Sequence, residues 1–534
     1  VGNLKVPQSG VWFWLCGVYE KENEMTILLD GEALNIEKLE EIARKNAPVA
    51  YSDNAKARIK KCWDVVEAMV KSGKAIYGVT TGIGEFARIR VSPEEGAELQ
   101  KNIIYSHAAG TGDPQPLPVV RGAMALRGNV LARGNSGVRL STAEIFTKML
   151  NEGVTPLVFE KGSVGTSGDL SPLAQLAEVC IGEGKAYYRG ELLDGGEAMR
   201  RAGIEPVQLT YKEGLGLING SQMVTSGAAL LLQDARRLLK NAFISSAMAI
   251  DALKGVIKAF DPHLHASRPF KGQNAVAHDL RLLMADSQIL AEGSAKVQDG
   301  YSMRCTPQVL GPSVDCWFYA KEQIETEMNS SADNPLFFPE DNLYLAGGNF
   351  HGQPLGMAVD FLCIAMSEVA NLSERHTNRL LNPTLSGLPD FLVQGRGVNS
   401  GLMVAQYTAA ALVSENKVLS HPATVDSISV SADQEDHVAM SPIAVRKCTE
   451  ILKNVAVVLA IEMYCAAQAF DFRKPSRPGR GTRIAYDIIR QHVSFLEKDR
   501  VLYPDINKIA ELVRNSTILN AVESELGELP LRLN

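Results

Sequence analysis

The chain has 534 residues, 46% hydrophobic and 22% charged, with 54 basic against 61 acidic side chains and a formal net charge of −7. Such proportions belong to an ordinary globular enzyme with a large core and exclude a low-complexity or fibrous chain. With no basic excess, the surface is not built to neutralise many phosphates, so nucleic acid is not expected as a partner. The eight cysteines never form Cys-x-x-Cys, which points to neither a zinc site nor a disulfide framework and fits a reducing cytoplasm.

Residues 1–24 precede Met25, where Thr-Ile-Leu-Leu-Asp-Gly begins as a strand and turn; they read as an upstream or non-native extension. Their apolar run Val11 to Val18 is too short to cross a bilayer and lacks a small-residue cleavage site. From Asn35 to Lys45 and from Asn54 to Lys71, apolar residues recur every three or four positions, predicting amphipathic helices, the second ended by Ser72-Gly73. Ala75-Ile76-Tyr77 reads as a strand leading into the Gly-rich loop Val79 to Glu85, with Tyr77 at the loop mouth.

Apolar runs at about 221–254, 353–381, 401–419 and 444–469 predict long, mostly buried helices. Asp234, Glu368, Glu415 and Glu462 interrupt them too often for lipid-facing spans. Helices this apolar are best satisfied in a bundle whose remaining faces are buried against other subunits. The basic stretch from Arg473-Lys474 to Arg483 lies among Pro and Gly and reads as a solvated loop. No period of 20–50 residues recurs. The expected fold is therefore mainly all-α, a long up-down helical bundle with a smaller mixed region before it: residues 25–220, then the bundle over 221–475, then a helical segment over 476–534.

The chemistry centres on Lys161-Gly-Ser-Val-Gly-Thr-Ser-Gly-Asp-Leu-Ser-Pro-Leu-Ala174. For structure alone it is a Gly-rich loop entering a helix, with Ser171 as N-cap and Pro172 at the first helical position. That leaves unexplained why Gly165 and Gly168 bracket Thr166-Ser167. Gly168 has backbone freedom that no other residue has, and its amide nitrogen can approach the carbonyl carbon of Thr166. Attack there closes a five-membered ring; loss of that adduct's water and of the Ser167 hydroxyl leaves an exocyclic methylidene, a strong electrophile made from protein alone.

At this point the chain resembles the histidine, phenylalanine and tyrosine ammonia-lyases and the related aminomutases, over essentially everything from Met25 to the C-terminal helices. The resemblance implies the cofactor 4-methylideneimidazol-5-one (MIO), formed from Thr166-Ser167-Gly168, in the mixed N-terminal region. The family usually has Ala where this chain has Thr166; only the backbone carbonyl of that residue enters the ring. Tyr77-Gly-Val-Thr-Thr-Gly-Ile-Gly84 is similar to the loop whose Tyr takes the β-proton. Gly216-Leu-Ile-Asn219-Gly220 is similar to the segment whose Asn holds substrate and cofactor. Val297 to Gln308 is similar to the run supplying Gln298, a catalytic Tyr301 and the carboxylate-binding Arg304. Phe350, in Gly-Gly-Asn-Phe-His351-Gly, matches an active-site aromatic. The resemblance further implies a homotetramer with active sites shared between subunits.

A general base contributes only about 10²- to 10⁴-fold, so the electrophile matters more than the Tyr. An ordinary tyrosine has a pKa of about 10, so Tyr77 calls for helix N-termini or cations to bring it toward neutrality. Arg304 offers a planar fork to a carboxylate, where charged hydrogen bonds contribute about 1.5–3 kcal/mol each.

Two places bear on the substrate side chain. Ser106-His107 is polar and resembles histidine lyases, although some tyrosine aminomutases carry it too. Glu435, in Asp433-Gln-Glu-Asp-His437, can accept from an imidazole N–H, and a phenyl ring would leave its carboxylate unpaired. Asp433 stands where the motif usually has Asn, which bears on that pocket wall.

The expected reaction is L-histidine to trans-urocanate plus ammonia. Phenylalanine or tyrosine lyase, 2,3-aminomutase and a non-catalytic helical scaffold are the alternatives. No metal is expected: His263-x-His265 lacks further ligands, and His278, His376 and His492 read as surface or core residues. Gly165 to Asp169 lacks the second Gly of a nucleophile elbow, and Gly214 to Gly220 lacks dinucleotide-loop spacing.

Overall fold

Asn35 caps the Ile36–Lys45 helix by accepting from Lys38 N at 2.9 Å, and Asn46, left-handed at φ 61°, closes it. Ile36, Leu39, Ile42 and Ala43 form its buried stripe, the three- and four-residue spacing read from the sequence. Ser52 caps the Asp53–Lys71 helix in the same way, and the turn at Ser72-Gly73 ends it. The computed structural model describes residues 25–92, 95–166, 168–294 and 296–533; the proposed extension over 1–24 and Ser167 lie outside the described residues.

The chain divides into two units. One takes the residues up to Gln233 together with Lys321–Val359 and Pro422–Arg446; the other takes Asp234–Ala320, Asp360–His421 and Lys447–Asn534. The first unit is mixed. Ile27–Leu29 pairs in parallel with Val49–Tyr51, Thr111–Pro114 antiparallel with Phe159–Lys161, and Leu336–Phe338 antiparallel with Leu343–Leu345. Thr155–Pro156, Lys185–Tyr188 and Glu191–Asp194 form an antiparallel three-stranded sheet. A core of Cys62, Val66, Met69, Val70, Ile76, Val79 and Phe337 anchors both sides of Tyr77.

The second unit is helical among its described residues, with nothing more sheet-like than the bridge Arg396↔Asn399. The long runs fold as the helices Gln222–Ala252, Gln353–Leu381, Met403–Leu419 and Ser441–Arg473, at bounds within a few residues of those predicted. The mainly all-α fold with a mixed N-terminal part is thus the observed one. Gln353–Leu381 and Ser441–Arg473 are long and apolar enough to cross a membrane by composition, yet their apolar windows are 67% and 83% buried inside the protein. Thr306–Met328 is a fourth helix of more than twenty residues that the sequence reading did not find, because Pro312 inside it reads as a breaker.

Three local expectations are corrected. Ala75-Ile76-Tyr77 is not a strand: Val79 and Thr80 both donate to the Ile76 carbonyl, folding the segment into successive turns. The helix after the Gly-rich loop starts at Leu170, so Asp169 rather than Ser171 stands at the cap, and Ser171 and Pro172 lie inside the first turn. The basic stretch is only partly a solvated loop. Arg473 ends its helix by donating to the Ala252 and Ser386 carbonyls, and Arg480–His492 is helical, while Lys474, Arg477, Arg480 and Arg483 are exposed.

Candidate active site

The loop carrying Thr166 and Gly168 is held on every side within the first unit. Gly165 and Gly168 are both left-handed at φ 74°, and a Cβ on Gly168 would fall 2.0 Å from the Gly220 oxygen. Asp169 N donates to that same oxygen at 2.7 Å, so the approach is locked by hydrogen bonding. Thr166 is buried, and its hydroxyl oxygen accepts from Ala439 N at 2.9 Å. Met440 N donates to Val164 O at 2.8 Å, and Gly352 N donates to Gly165 O at 2.9 Å. The Thr166 side chain therefore tethers the loop and does not obstruct it.

Asp169 is 1% exposed and serves other segments instead of its own helix. It accepts from Val224 N at 2.8 Å and from Ser163 Oγ at 3.1 Å, while Ser163 Oγ in turn accepts from Gly165 N at 3.0 Å. Burial pushes the Asp169 carboxyl up to about 6.

Asn219 and Gly220 follow the Glu213–Ile218 helix, and Arg127 fixes them from below. Arg127 is wholly buried and donates to Gly216 O through Nε at 3.0 Å and through a terminal nitrogen at 2.5 Å. It also donates to Asn219 O at 2.5 Å, Ala332 O at 3.2 Å, Gln222 Oε1 at 3.2 Å and Asp333 Oδ2 at 3.1 Å. Asp333 also accepts from Lys212 Nζ at 3.0 Å, and all three charged side chains are fully buried. Burial lowers the Lys212 and Arg127 pKa values while Asp333 opposes the fall.

Tyr77 stands at the turn anchored by Ile76 and Val79, and its hydroxyl oxygen accepts from Gly84 N at 2.9 Å. Gln100, fully buried, donates to Gly78 O at 3.1 Å and accepts from Leu215 N at 3.1 Å, so one side chain couples the Tyr77 turn to the helix before Asn219. The electrostatics reverse the sequence expectation. Burial and, less strongly, the Glu435 carboxylate raise the Tyr77 pKa above its usual range, and only the Gly84 N–H opposes them. The lowering expected from cations or helix N-termini is not what this chain provides.

Glu435 is half-buried, in the tight turn closed by Val430 N to Glu435 O at 3.1 Å. Ser431, Ala432 and Asp433 are left-handed in succession, at φ 54°, 51° and 63°. Asp433 is exposed and accepts from Ser429 Oγ, so its charge serves its own turn. Ser106 and His107 end the Gly96–His107 helix with Ser106 Oγ 2.9 Å from His107 Nδ1; burial lowers the His107 pKa. Phe350 is half-buried, two residues before the Gly352 that binds Gly165. His351 Nε2 lies 3.3 Å from His437 O, linking the Phe350 turn to the segment after Glu435.

The second unit carries the remaining predicted residues. Gln298 and Tyr301 are exposed, Tyr301 by 73%. Tyr301–Arg304 is a single helical turn that sets the Arg304 guanidinium 4.6 Å over the Tyr301 ring, with Arg304 Nε buried and without a partner. Among the described residues no group of three or more His, Cys, Asp or Glu gathers as metal ligands would. His265 is buried between Ala259 O and Gln273, His278 faces Asp279 and His492 faces Ile488 O.

The sequence matches the aromatic amino acid lyases over residues 34–491. This chain belongs to that family. It is 50% identical over 498 residues to a histidine ammonia-lyase of Alkaliphilus oremlandii, covering 93% of this chain and 98% of that one. The fold is similar to the crystal structure of histidine ammonia-lyase from Trypanosoma cruzi, at a TM-score of 0.87 and 38% identity over 96% of this chain and 98% of that chain. It is similar also to tyrosine aminomutase from Streptomyces globisporus, at 0.90 and 35% over 95% and 100%.

Sequence reasoning in this lyase missed Arg127, Gln100, Asp169, Ser163 and Asp333. One signal was available: Arg121 and Arg127 interrupt a helix whose residues Pro118 to Ala132 are otherwise apolar except for Asn129, and charges there demand buried partners. Gln100 offered none, since its two partners are backbone groups far away in sequence.

Proposed function

We propose that this protein is an ammonia-lyase that converts L-histidine to trans-urocanate and ammonia. The reading rests above all on the near-full-length similarity to histidine ammonia-lyases, joined to a half-buried Glu435 that acts electrostatically on Tyr77. MIO would be formed from Thr166, Ser167 and Gly168, and the residues present suit it: Gly168 sits where no side chain fits, and the loop is tied by the bonds of Thr166, Gly165 and Asp169. When present, that ring supplies an electrophile for the substrate's amino nitrogen, turning a poor leaving group into a better one.

The chain's own groups do the rest. The guanidinium of Arg304 pairs with the substrate carboxylate, beside Gln298 and the hydroxyl of Tyr301. Asn219 holds the amino acid against the Gly168 loop, Phe350 packs on it, and Ser106-His107 lines the side-chain end. Glu435 accepts from the imidazole N–H, which offsets the charge that holds the Tyr77 proton on. Tyr77 then takes the β-proton at its hydroxyl oxygen, where the Gly84 N–H steadies the phenolate.

The enzyme works in the cytoplasm as a homotetramer whose subunits share active sites. In support, the second unit leaves Tyr319, Phe361 and Ile364 40–49% exposed, by a groove of about 530 Å³ lined by Val309, Pro312 and Ile364. Light scattering of the purified protein tests the tetramer.

Incubation with L-histidine while following urocanate absorbance tests the reaction, with Ser167→Ala expected to be inactive yet folded. Intact mass lower than the sequence by two waters is expected for the wild-type chain; a fully hydrated chain overturns the cofactor. The likeness to tyrosine aminomutase favours one second reading, in which tyrosine yields a β-amino acid.

A further inference from the structure

Beneath the turn that carries Tyr301 and Arg304 lies a buried chain of polar groups within the second unit. His376, on the Gln353–Leu381 helix, is fully buried, with Nδ1 2.7 Å from Glu462 Oε1 and Nε2 2.6 Å from the Ser302 carbonyl oxygen. Glu462, also fully buried, takes two hydroxyl hydrogens on its other oxygen, from Ser245 at 2.8 Å and Ser373 at 2.6 Å.

The hydrogen inventory is restrictive. A backbone carbonyl can only accept, so Nε2 must carry a hydrogen to bond Ser302 at 2.6 Å. Nδ1 then faces a carboxylate oxygen at 2.7 Å, and a lone pair there would be repelled; a proton shared between Nδ1 and Glu462 makes the contact attractive. Wherever in that pair the proton rests, the outward result is a fixed Nε2–H aimed at the middle of the Tyr301–Arg304 turn.

The turn has reason to depend on it. It is four residues long, and its cap residue Gly300 provides no side-chain hydrogen bond. Arg379 lies three positions after His376, on the same helix face, and packs its guanidinium so close to Gly300 that a Cβ there would fall 2.7 Å from it. Thr306 Oγ1 reaches the Ser302 carbonyl at 3.0 Å from the other side. One helix therefore grips the turn at its start and at its centre, and the stacked pair of Tyr301 and Arg304 projects from it.

We infer that His376, oriented by Glu462, is a positioning residue that sets where Arg304 and Tyr301 meet the substrate. The inference rests on the proposed roles of those two residues. A misplacement of about 1 Å at a positioning contact can cost on the order of 100-fold in rate. His376→Leu is accordingly expected to lower kcat/KM for L-histidine by about 10- to 100-fold, with a raised KM reporting the displaced guanidinium. Glu462→Gln keeps the arrangement: its amide can donate to Nδ1 and accept from both serines, leaving Nε2–H on Ser302. It is expected to stay within about threefold of wild type, a difference of less than 1 kcal/mol.

The experiment uses the full chain and pairs these kinetics with hydrogen–deuterium exchange of the peptide spanning residues 300–305. Faster exchange and lower kcat/KM in His376→Leu, with neither in Glu462→Gln, supports the inference. Wild-type behaviour of His376→Leu overturns it, and so does a tenfold loss in Glu462→Gln. Should His376→Leu not fold, His376→Gln replaces it, since its amide can still donate to Ser302; a tenfold loss there with unchanged exchange also overturns the inference. If the wild-type chain does not act on L-histidine, the proposed function fails, while the exchange comparison still decides the role of His376.

Discussion

Arg127→Lys keeps a positive charge but removes the planar fork that now serves five acceptors: the carbonyls of Gly216, Asn219 and Ala332, Gln222 Oε1 and Asp333 Oδ2. An ammonium has three hydrogens, so at least two acceptors lose their donor in a place where Arg127 and Asp333 are fully buried and water cannot replace it. Each unserved buried acceptor costs about 1–3 kcal/mol, which gives an expected destabilisation of about 2–6 kcal/mol. Because the freed carbonyls flank Asn219 and support Gly220, kcat/KM should fall as well, by about 10- to 100-fold. Denaturant unfolding and initial rates of urocanate formation measure the two effects.

Arg121→Lys supplies the control. Arg121 is buried on the same helix but donates to the Leu150 and Ile42 carbonyls, away from the loop. It should lose stability and spare the rate. The reasoning is refuted if Arg127→Lys unfolds and turns over like wild type, or if Arg121→Lys loses rate as heavily.

Gly168→Ala should abolish turnover and leave the chain unmodified by intact mass, since its Cβ would press on Gly220 O and the backbone at φ 74° disfavours any side chain. A mature, active Gly168→Ala enzyme would contradict the locked approach to Gly220. Tyr77→Phe should cost only about 1 kcal/mol of stability, for the bond from Gly84, but about 10²- to 10⁴-fold in kcat. Equal kcat would remove Tyr77 from the chemistry.

Asp169 gives a pH signature. Its carboxyl is raised by burial from an ordinary 3.8 to about 6, so the folded chain holds that proton more tightly than the unfolded chain does. The resulting stabilisation, about 3 kcal/mol, is complete below about pH 4 and lost as pH rises through about 6. Asp169→Asn should flatten that part of the stability curve, and parallel curves for the two proteins would rule the assignment out.

Local pattern alone determined the elements whose stabilisation is local. Ile36–Lys45 and Gln353–Leu381 lie where the apolar pattern puts them, because the residues that form a buried face follow one another within a few turns; at Ile36–Lys45 the capping Asn35 is also local. The run Gly165-Thr166-Ser167-Gly168 likewise announced special chemistry through residue types that no packing argument required. Tertiary structure decided what depends on distant partners. Asp169 displaced Ser171 from the cap because Val224 and Ser163 bind its carboxylate, and Ile76-Tyr77 turned instead of extending because a core from three separate stretches claimed Ile76 and Val79. The sign of the Tyr77 shift was set in the same way, since burial and the Glu435 charge come from residues more than 300 positions apart in the chain and exist together only once it is folded.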